Sequence, residues 1–249
     1  METVKQIPYG VADFESVINQ NMYYVDKTMY LAELEKQPRT LIFIRPRRFG
    51  KSLFISMMRA YYDKSKADRF DKLFGSLWIG SHPTPLRNHY QVLYLDFSRI
   101  DGNINVLEEK FNSYCCDQLN DFIDTYRDDY PKERVEEFLR SDNHGQKLNL
   151  LLNMSRKYNQ PLYLIIDEYD SFTNIVFSEQ VEETYFKTSL IGRFYSHVFK
   201  LFKGMFERIF LTGVSPVTLD DLTSGFNIGW NISMAPELDK MLGFSTEDV

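Results

Sequence analysis

Cysteine is scarce in this chain: two occur in 249 residues, and they are neighbours, Cys115 and Cys116. Adjacent cysteines in one segment can neither build a framework of structural disulfides nor supply the spaced ligands of a zinc site. Both read as reduced packing residues, as in a reducing compartment. Long apolar runs are missing too. Nothing approaches the roughly 18 residues that a spanning helix needs, and the opening METVKQIPYG has no apolar signal core. The expectation is a cytoplasmic protein with no membrane partner. Positive charge is in deficit, with 29 Lys and Arg against 35 Asp and Glu and a formal net charge of -6. That balance excludes coating of DNA by bulk electrostatics and leaves a nucleic-acid partner only through a local basic patch. The four histidines, His82, His89, His144 and His197, lack metal-ligand spacing, and no serine sits in a G-x-S-x-G elbow. Metal hydrolases and acyl-transfer enzymes therefore find no support.

What is present is enough material for one large folded domain, since 43% of residues are hydrophobic and 26% charged. There is no repeat, no low-complexity tract and no Gly, Ser or Pro-rich linker. Short apolar runs alternate with helix-periodic stretches. TLIFIR (40–45), VLYLDFS (92–98), PLYLIIDEYD (161–170) and RIFLTGVSP (208–216) read as strands, with FNIGWNIS (226–233) as a fifth. KSLFISMMRAYYD, with Leu53, Phe54, Met57, Met58 and Tyr61 on one face, reads as a helix. Helices are also expected over 104–126, from Pro131 to Arg140, over 146–158 and over 183–203. Strand, helix and strand in this rhythm imply an α/β fold with a parallel sheet covered on both faces.

Between the first strand and the first long helix stands RPRRFGKS, residues 45–52. A phosphate-binding loop has the pattern G-x-x-x-x-G-K-[ST] in this context. Gly50, Lys51 and Ser52 supply its second half. Backbone N–H groups at a helix start favour phosphate, a lysine reaches the β and γ phosphates, and a serine hydroxyl suits Mg²⁺. The first glycine is replaced by Arg45, and Pro46 has no N–H to donate, so the loop must enter by another backbone path. The bland alternative is an ordinary turn with solvated arginines. Far along the chain, the apolar strand of LYLIIDEYD ends with Asp167 and Glu168, the arrangement in which an aspartate supports the Mg²⁺ shell and a glutamate polarises an attacking water. The loop and the acidic strand together make a nucleotide site a much stronger reading than either alone. Thr212, at the end of the fourth strand, would sit beside the γ phosphate if the third and fourth strands flank the first; a plain Thr-Gly turn is the alternative.

RPRRFGKSL, the Asp167–Glu168 strand, LTGVSP (211–216) and YYVDKT (23–28) together resemble the predicted AAA-ATPase-like family, which is abundant in bacteria and often fused to a C-terminal PD-(D/E)XK nuclease-like domain. The arginine-rich loop is the rule in that family. The resemblance implies a P-loop NTPase fold of about five strands with an additional strand between the Walker A and Walker B strands, and it implies ATP and Mg²⁺ as cofactors. By motif it carries over Lys51, Ser52, Asp167 and Glu168, with Thr212 beside them. Catalytic roles then fall to Glu168, Lys51 and Thr212, nucleotide binding to Arg47, Arg48, Phe49, Gly50, Lys51, Ser52 and Leu53, and metal binding to Ser52 and Asp167. The expected organisation is an N-terminal segment (1–39) packed on the nucleotide domain (40–243), followed by the start of a further region (244–249), where Ser245 and the acidic residues after it resemble a helix start. The expected partners are ATP, a downstream nuclease-like domain and a second copy of the chain.

Other residues are candidates on weaker grounds. Phe14, Tyr24 or the Asp26–Lys27 pair would contact the base, or else simply pack. Arg47 and Arg48 would offset transition-state charge, or else pair with acidic groups at the sheet edge. Arg193 and Arg208 are candidates for an arginine acting across a subunit interface, and Asp96 for a site facing the phosphates. Three functions fit: Mg-dependent ATP hydrolysis, a nucleotide-dependent switch with little turnover, and a small-molecule phosphotransferase.

Overall fold

A computed structural model describes residues 5–172, 189–196, 204–214 and 229–244. Five strands, β1 (Thr40–Ile44), β2 (Gln91–Asp96), β3 (Leu162–Asp167), β4 (Arg208–Gly213) and β5 (Trp230–Asn231), form one sheet in the order β2-β3-β4-β1-β5. Every pairing is parallel, with Ile42 opposite Leu211, Leu164 opposite Ile209 and Leu93 opposite Leu164. β4 therefore lies between β1 and β3.

All six residues of β3 are buried, as expected of a strand covered on both faces. Because successive side chains point to opposite faces, the strands feed two separate cores. Leu162, Leu164 and Ile166 join Leu93, Leu95 and Leu211 on one side. Tyr163 and Ile165 join Val92, Phe43 and Phe210 on the other. The second face is covered by α1 (Phe14–Asn19), α2 (Met29–Lys36), α3 (Lys51–Tyr62), α4 (Phe70–Phe74) and α5 (Trp78–Ser81). The first is covered by α6 (Ile104–Thr125), α7 (Lys132–Leu139), α8 (His144–Lys157) and α9 (Leu190–Ser196). Their starts are fixed locally: the side chains of Asp13, Asn103 and Asn143 accept backbone N–H groups at the first turns of α1, α6 and α8. No described helix is long and apolar enough to cross a membrane.

The described strands are shorter than the runs expected for them, β1 and β2 by one residue each. β3 stops at Asp167 because Glu168 takes φ +49°, which turns the chain out of the pleat. β4 ends at Gly213, with residues 215 and 216 outside the described part, and β5 is reduced to Trp230–Asn231, with 226–228 likewise outside. Of the helix expected over 183–203, only 189–196 is described. Pro131 caps α7 instead of entering its first turn.

The N-terminal candidates for base contact are structural groups. Phe14 is fully buried, stacked on Phe74 at 5.1 Å between ring centroids and edge-on to Tyr24 at 5.4 Å. The Tyr24 hydroxyl donates to Met57 Sδ at 3.1 Å. The Asp26 carboxylate accepts the Thr28 N–H at 2.9 Å and the Trp78 N–H at 2.7 Å. These contacts help pack α1, α2, α4 and α5 around α3.

Candidate active site

At the carboxyl edge of the sheet the chain leaves β1, rounds a loop over 45–50 and enters α3. Gly50 is the N-cap of α3 at φ +88°, a left-handed conformation in which glycine has no steric penalty. A Cβ there would meet nothing within 4 Å, so conformation alone calls for glycine. Arg48 is also left-handed, at φ +68°, where a side chain carries strain of order 1 kcal/mol or more.

Arg45 answers the question of the missing glycine. Its guanidinium turns away from the loop and donates to the carbonyls of Ile44 at 3.1 Å and Ser233 at 2.5 Å, lies 3.8 Å from the Asp239 carboxylate and covers the Phe43 ring at 4.6 Å. The Ser233 hydroxyl in turn accepts the Ile44 N–H at 2.8 Å. A residue that would be glycine in the ordinary loop thus straps the segment after β5 to the end of β1. Arg45→Gly is accordingly expected to destabilise the fold by about 1.5–3 kcal/mol, the usual loss for a charge-assisted hydrogen bond, without tightening nucleotide binding. Urea unfolding and calorimetry would check both halves, and an unchanged midpoint would count against the strap.

Lys51 is 6% exposed and folds back over the loop, its ammonium donating to the carbonyls of Arg45 at 2.9 Å and Pro46 at 3.0 Å. Burial holds its pKa below the ordinary lysine value, opposed by the charges of Asp167, Glu168 and Asp170 and reinforced by Arg47. In the first turn of the helix, the Ser52 hydroxyl donates to Asp167 Oδ2 at 2.8 Å. Thr212 donates to the other oxygen of the same carboxylate at 2.5 Å, and the Glu168 N–H reaches that oxygen at 3.0 Å. Asp167 and Thr212 are 2% and 1% exposed. The condition set for Thr212 is not met as stated, since β1 is flanked by β4 and β5 and not by β3. The intervening β4 nonetheless puts Thr212 in contact with Asp167, so loop, acidic strand and threonine meet at one point.

Glu168 is half-buried beside this cluster. Its carboxyl is raised above the usual range, first by burial and then by the negative charges of Asp167 and Asp96, while Lys51 and Arg47 pull it back. Asp96 itself is a turn former: it accepts the N–H and hydroxyl of Ser98 at 3.1 and 2.6 Å and meets Arg99 at 3.2 Å. Arg47, Arg48 and Phe49 are exposed and Leu53 is half-buried. The alternative in which the two arginines pair with acidic groups is not seen among the described residues. Arg193 lies exposed on α9. Arg208 stands at the opposite edge of the sheet as a capping residue: its guanidinium donates to the carbonyls of Leu34 at 3.3 Å and Glu35 at 2.8 Å and so closes the end of α2.

Asp170 escapes the sequence reading. It is 6% exposed, and its carboxylate accepts the Val214 N–H at 2.9 Å. A third acidic residue in the run DEYD is its only trace in the sequence.

Among the described residues no group of three or more His, Cys, Asp and Glu lies together as a self-sufficient metal site. A hydroxyl and a carboxylate 2.8 Å apart nevertheless form the hard-oxygen donor pair that suits Mg²⁺, an ion usually held by one or two protein oxygens with substrate phosphates and water completing the shell. The residues present fit that group.

The family described as "Predicted AAA-ATPase" matches residues 8–223. An "Uncharacterized protein in vnfD 5'region" of Azotobacter chroococcum mcd 1 is 24% identical over 260 residues, which cover 98% of this chain and 44% of that relative. The chain therefore spans less than half the length of that protein.

Proposed function

The chain belongs to the predicted AAA-ATPase family, and from that membership we propose that it binds ATP at the carboxyl edge of its sheet and hydrolyses it with Mg²⁺. The observation that carries the reading is the convergence of Ser52, Asp167 and Thr212 on one hydrogen-bonded cluster beside Lys51. These residues come from three separate segments, and an ordinary strand-to-helix turn does not require them to meet. The position of β4 between β1 and β3 supports the class of P-loop fold with an additional strand between Walker A and Walker B.

In this reading Lys51 exchanges its two loop carbonyls for phosphate oxygens. Its depressed pKa reflects charge held in a place that disfavours it, and an incoming anion removes that penalty. Backbone N–H groups at the start of α3 hold phosphate oxygens, with Gly50 letting the loop close on them. Ser52 and Asp167 are the oxygen donors for magnesium, which when bound neutralises phosphate charge and orients the transferring group. Glu168 takes a proton from the attacking water, and Thr212 fixes the Asp167 carboxylate. Arg47 and Arg48 face the phosphates and offset developing charge.

The resemblance of the loop and strand motifs further suggests that turnover drives a downstream nuclease-like domain, and the greater length of the Azotobacter relative is compatible with a region beyond this one. A nucleotide-dependent switch is the second reading, favoured by the Lys51 ammonium being already satisfied by the loop. Calorimetry with Mg-ATP tests the site itself. Wild type should bind, and Lys51→Ala should bind about 10- to 100-fold more weakly, the loss of about 1.5–3 kcal/mol for hydrogen bonds to a charged group. Equal affinities would move the nucleotide off this loop. Phosphate release then separates hydrolysis from switching.

A further inference from the structure

Asp170 lies outside the set of groups that hold phosphate, metal or water, yet it is nearly as buried as Asp167. The regular pairing between β3 and β4 ends at Ile166 and Leu211. Beyond that point the two strand ends are laced by three further bonds. Thr212 Oγ1 donates to Asp167, the Tyr169 N–H donates to the Thr212 carbonyl at 3.0 Å, and the Val214 N–H donates to the Asp170 carboxylate at 2.9 Å. The positive φ of Glu168 is the kink that returns the chain so that Tyr169 and Asp170 face β4 again.

Gly213 stands in the middle of this lacing. A Cβ at that position would lie 2.5 Å from Tyr169 Cε1 and 2.7 Å from Asp170 Oδ1, so the close approach of the two strand ends requires glycine. The geometry points to Asp170 as a positioning residue. It clamps the Thr212–Gly213–Val214 end of β4 to the turn that carries Glu168, and so holds the Thr212 hydroxyl on Asp167 and the Glu168 carboxylate beside it. The catalytic consequence rests on the proposed ATPase reading; the clamp itself does not.

The test uses the 249-residue chain with Asp170→Ala, Asp170→Asn and Gly213→Ala. In the absence of nucleotide, exchange of the Val214 amide should quicken at least about tenfold in Asp170→Ala and in Gly213→Ala, as expected when a part-buried bond opens locally. Asp170→Asn keeps a carbonyl acceptor and should stay near wild type. With Mg-ATP, turnover in Asp170→Ala should fall at least about tenfold at an affinity within about threefold of wild type, because misplacing groups costs the chemical step more than binding. Asp170→Asn should restore it, and the Ala changes at 170 and 213 should combine non-additively. Unaltered Val214 exchange in Asp170→Ala overturns the clamp. Turnover that is unchanged despite faster exchange, or an affinity that falls in step with turnover, overturns the positioning role. A wild-type chain with no turnover would reject the ATPase reading instead, and Val214 exchange would still decide the clamp.

Discussion

Glu168→Gln is expected to lower ATP turnover by about 10²- to 10⁴-fold, the usual contribution of a positioned general base, while Mg-ATP affinity stays within about threefold and thermal stability rises. The first half follows from placement. Glu168 follows directly on Asp167, sits beside Lys51 and Arg47, and shares its turn with the carboxylate that gathers Ser52 and Thr212. The amide keeps the shape and loses the proton acceptor. The second half follows from the raised carboxyl pKa. Between its ordinary value of 4.5 and its higher folded value, the folded chain binds more protons than the unfolded chain. Stability therefore falls as pH rises through that window and stays lower above it. Glutamine has no such dependence, so the melting temperature of the variant should exceed that of wild type at pH 8, and the gap should close as pH drops below about 4.5. The same displacement predicts that the acid limb of the rate profile lies above the ordinary glutamate range. Phosphate release under single-turnover conditions and melting curves at several pH values check each part. Unchanged turnover would remove Glu168 from the chemistry, and a melting gap that persists in acid would remove the electrostatic account.

Lys51 carries the mirror image of this cost. Its folded pKa is depressed, so its ionised form is disfavoured by burial until an anion arrives. In the proposed site a base and an acid are thus held in disfavoured states at one sheet edge, and the two cores behind it supply the stability that this costs.

The parts legible in sequence were those set by local pattern. β1, β2, β3 and β4 follow from short apolar runs, and α3 and α6 from helical spacing, because a parallel strand buried on both faces leaves an uninterrupted apolar signature. Gly50, Lys51, Ser52, Asp167 and Glu168 stand out in the sequence because a phosphate-loop pattern fixes neighbours along the chain, and the fold brings Ser52 onto Asp167. Arg45 was not legible, since its partner carbonyl at Ser233 is 188 positions away and nothing local announces it. Asp170 was hidden for the same reason, its Val214 partner lying 44 residues on. The short helices α4 and α5 were missed because segments of five and four residues are too brief to show a period. Whether Phe14 and Tyr24 face a ligand or pack is settled for Phe14 only by its distant partner Phe74 of α4, on which it stacks while Tyr24 meets it edge-on.

Asp167→Ala is the second large effect, and it is expected to separate metal-dependent chemistry from fold. Hydrolysis should fall on the order of a thousandfold, since electrophilic assistance by a divalent ion contributes several kcal/mol of transition-state stabilisation. ATP binding should lose its dependence on added Mg²⁺, because Ser52 alone is then left to supply a protein oxygen. Stability should fall for a different reason. The Thr212 hydroxyl, 1% exposed, would lose its acceptor, at a cost of about 1–3 kcal/mol for an unsatisfied buried donor. Thr212→Val in the same chain removes that donor at nearly constant volume. The double variant Asp167→Ala/Thr212→Val should therefore be more stable than the sum of the single changes predicts, by about 0.5–3 kcal/mol. Hydrolysis should not recover with it, because valine restores packing and supplies no oxygen. Additive stabilities would mean that Thr212 finds another acceptor and that the carboxylate does not organise this edge of the sheet. A recovery of hydrolysis in the double variant would mean that the metal is held elsewhere.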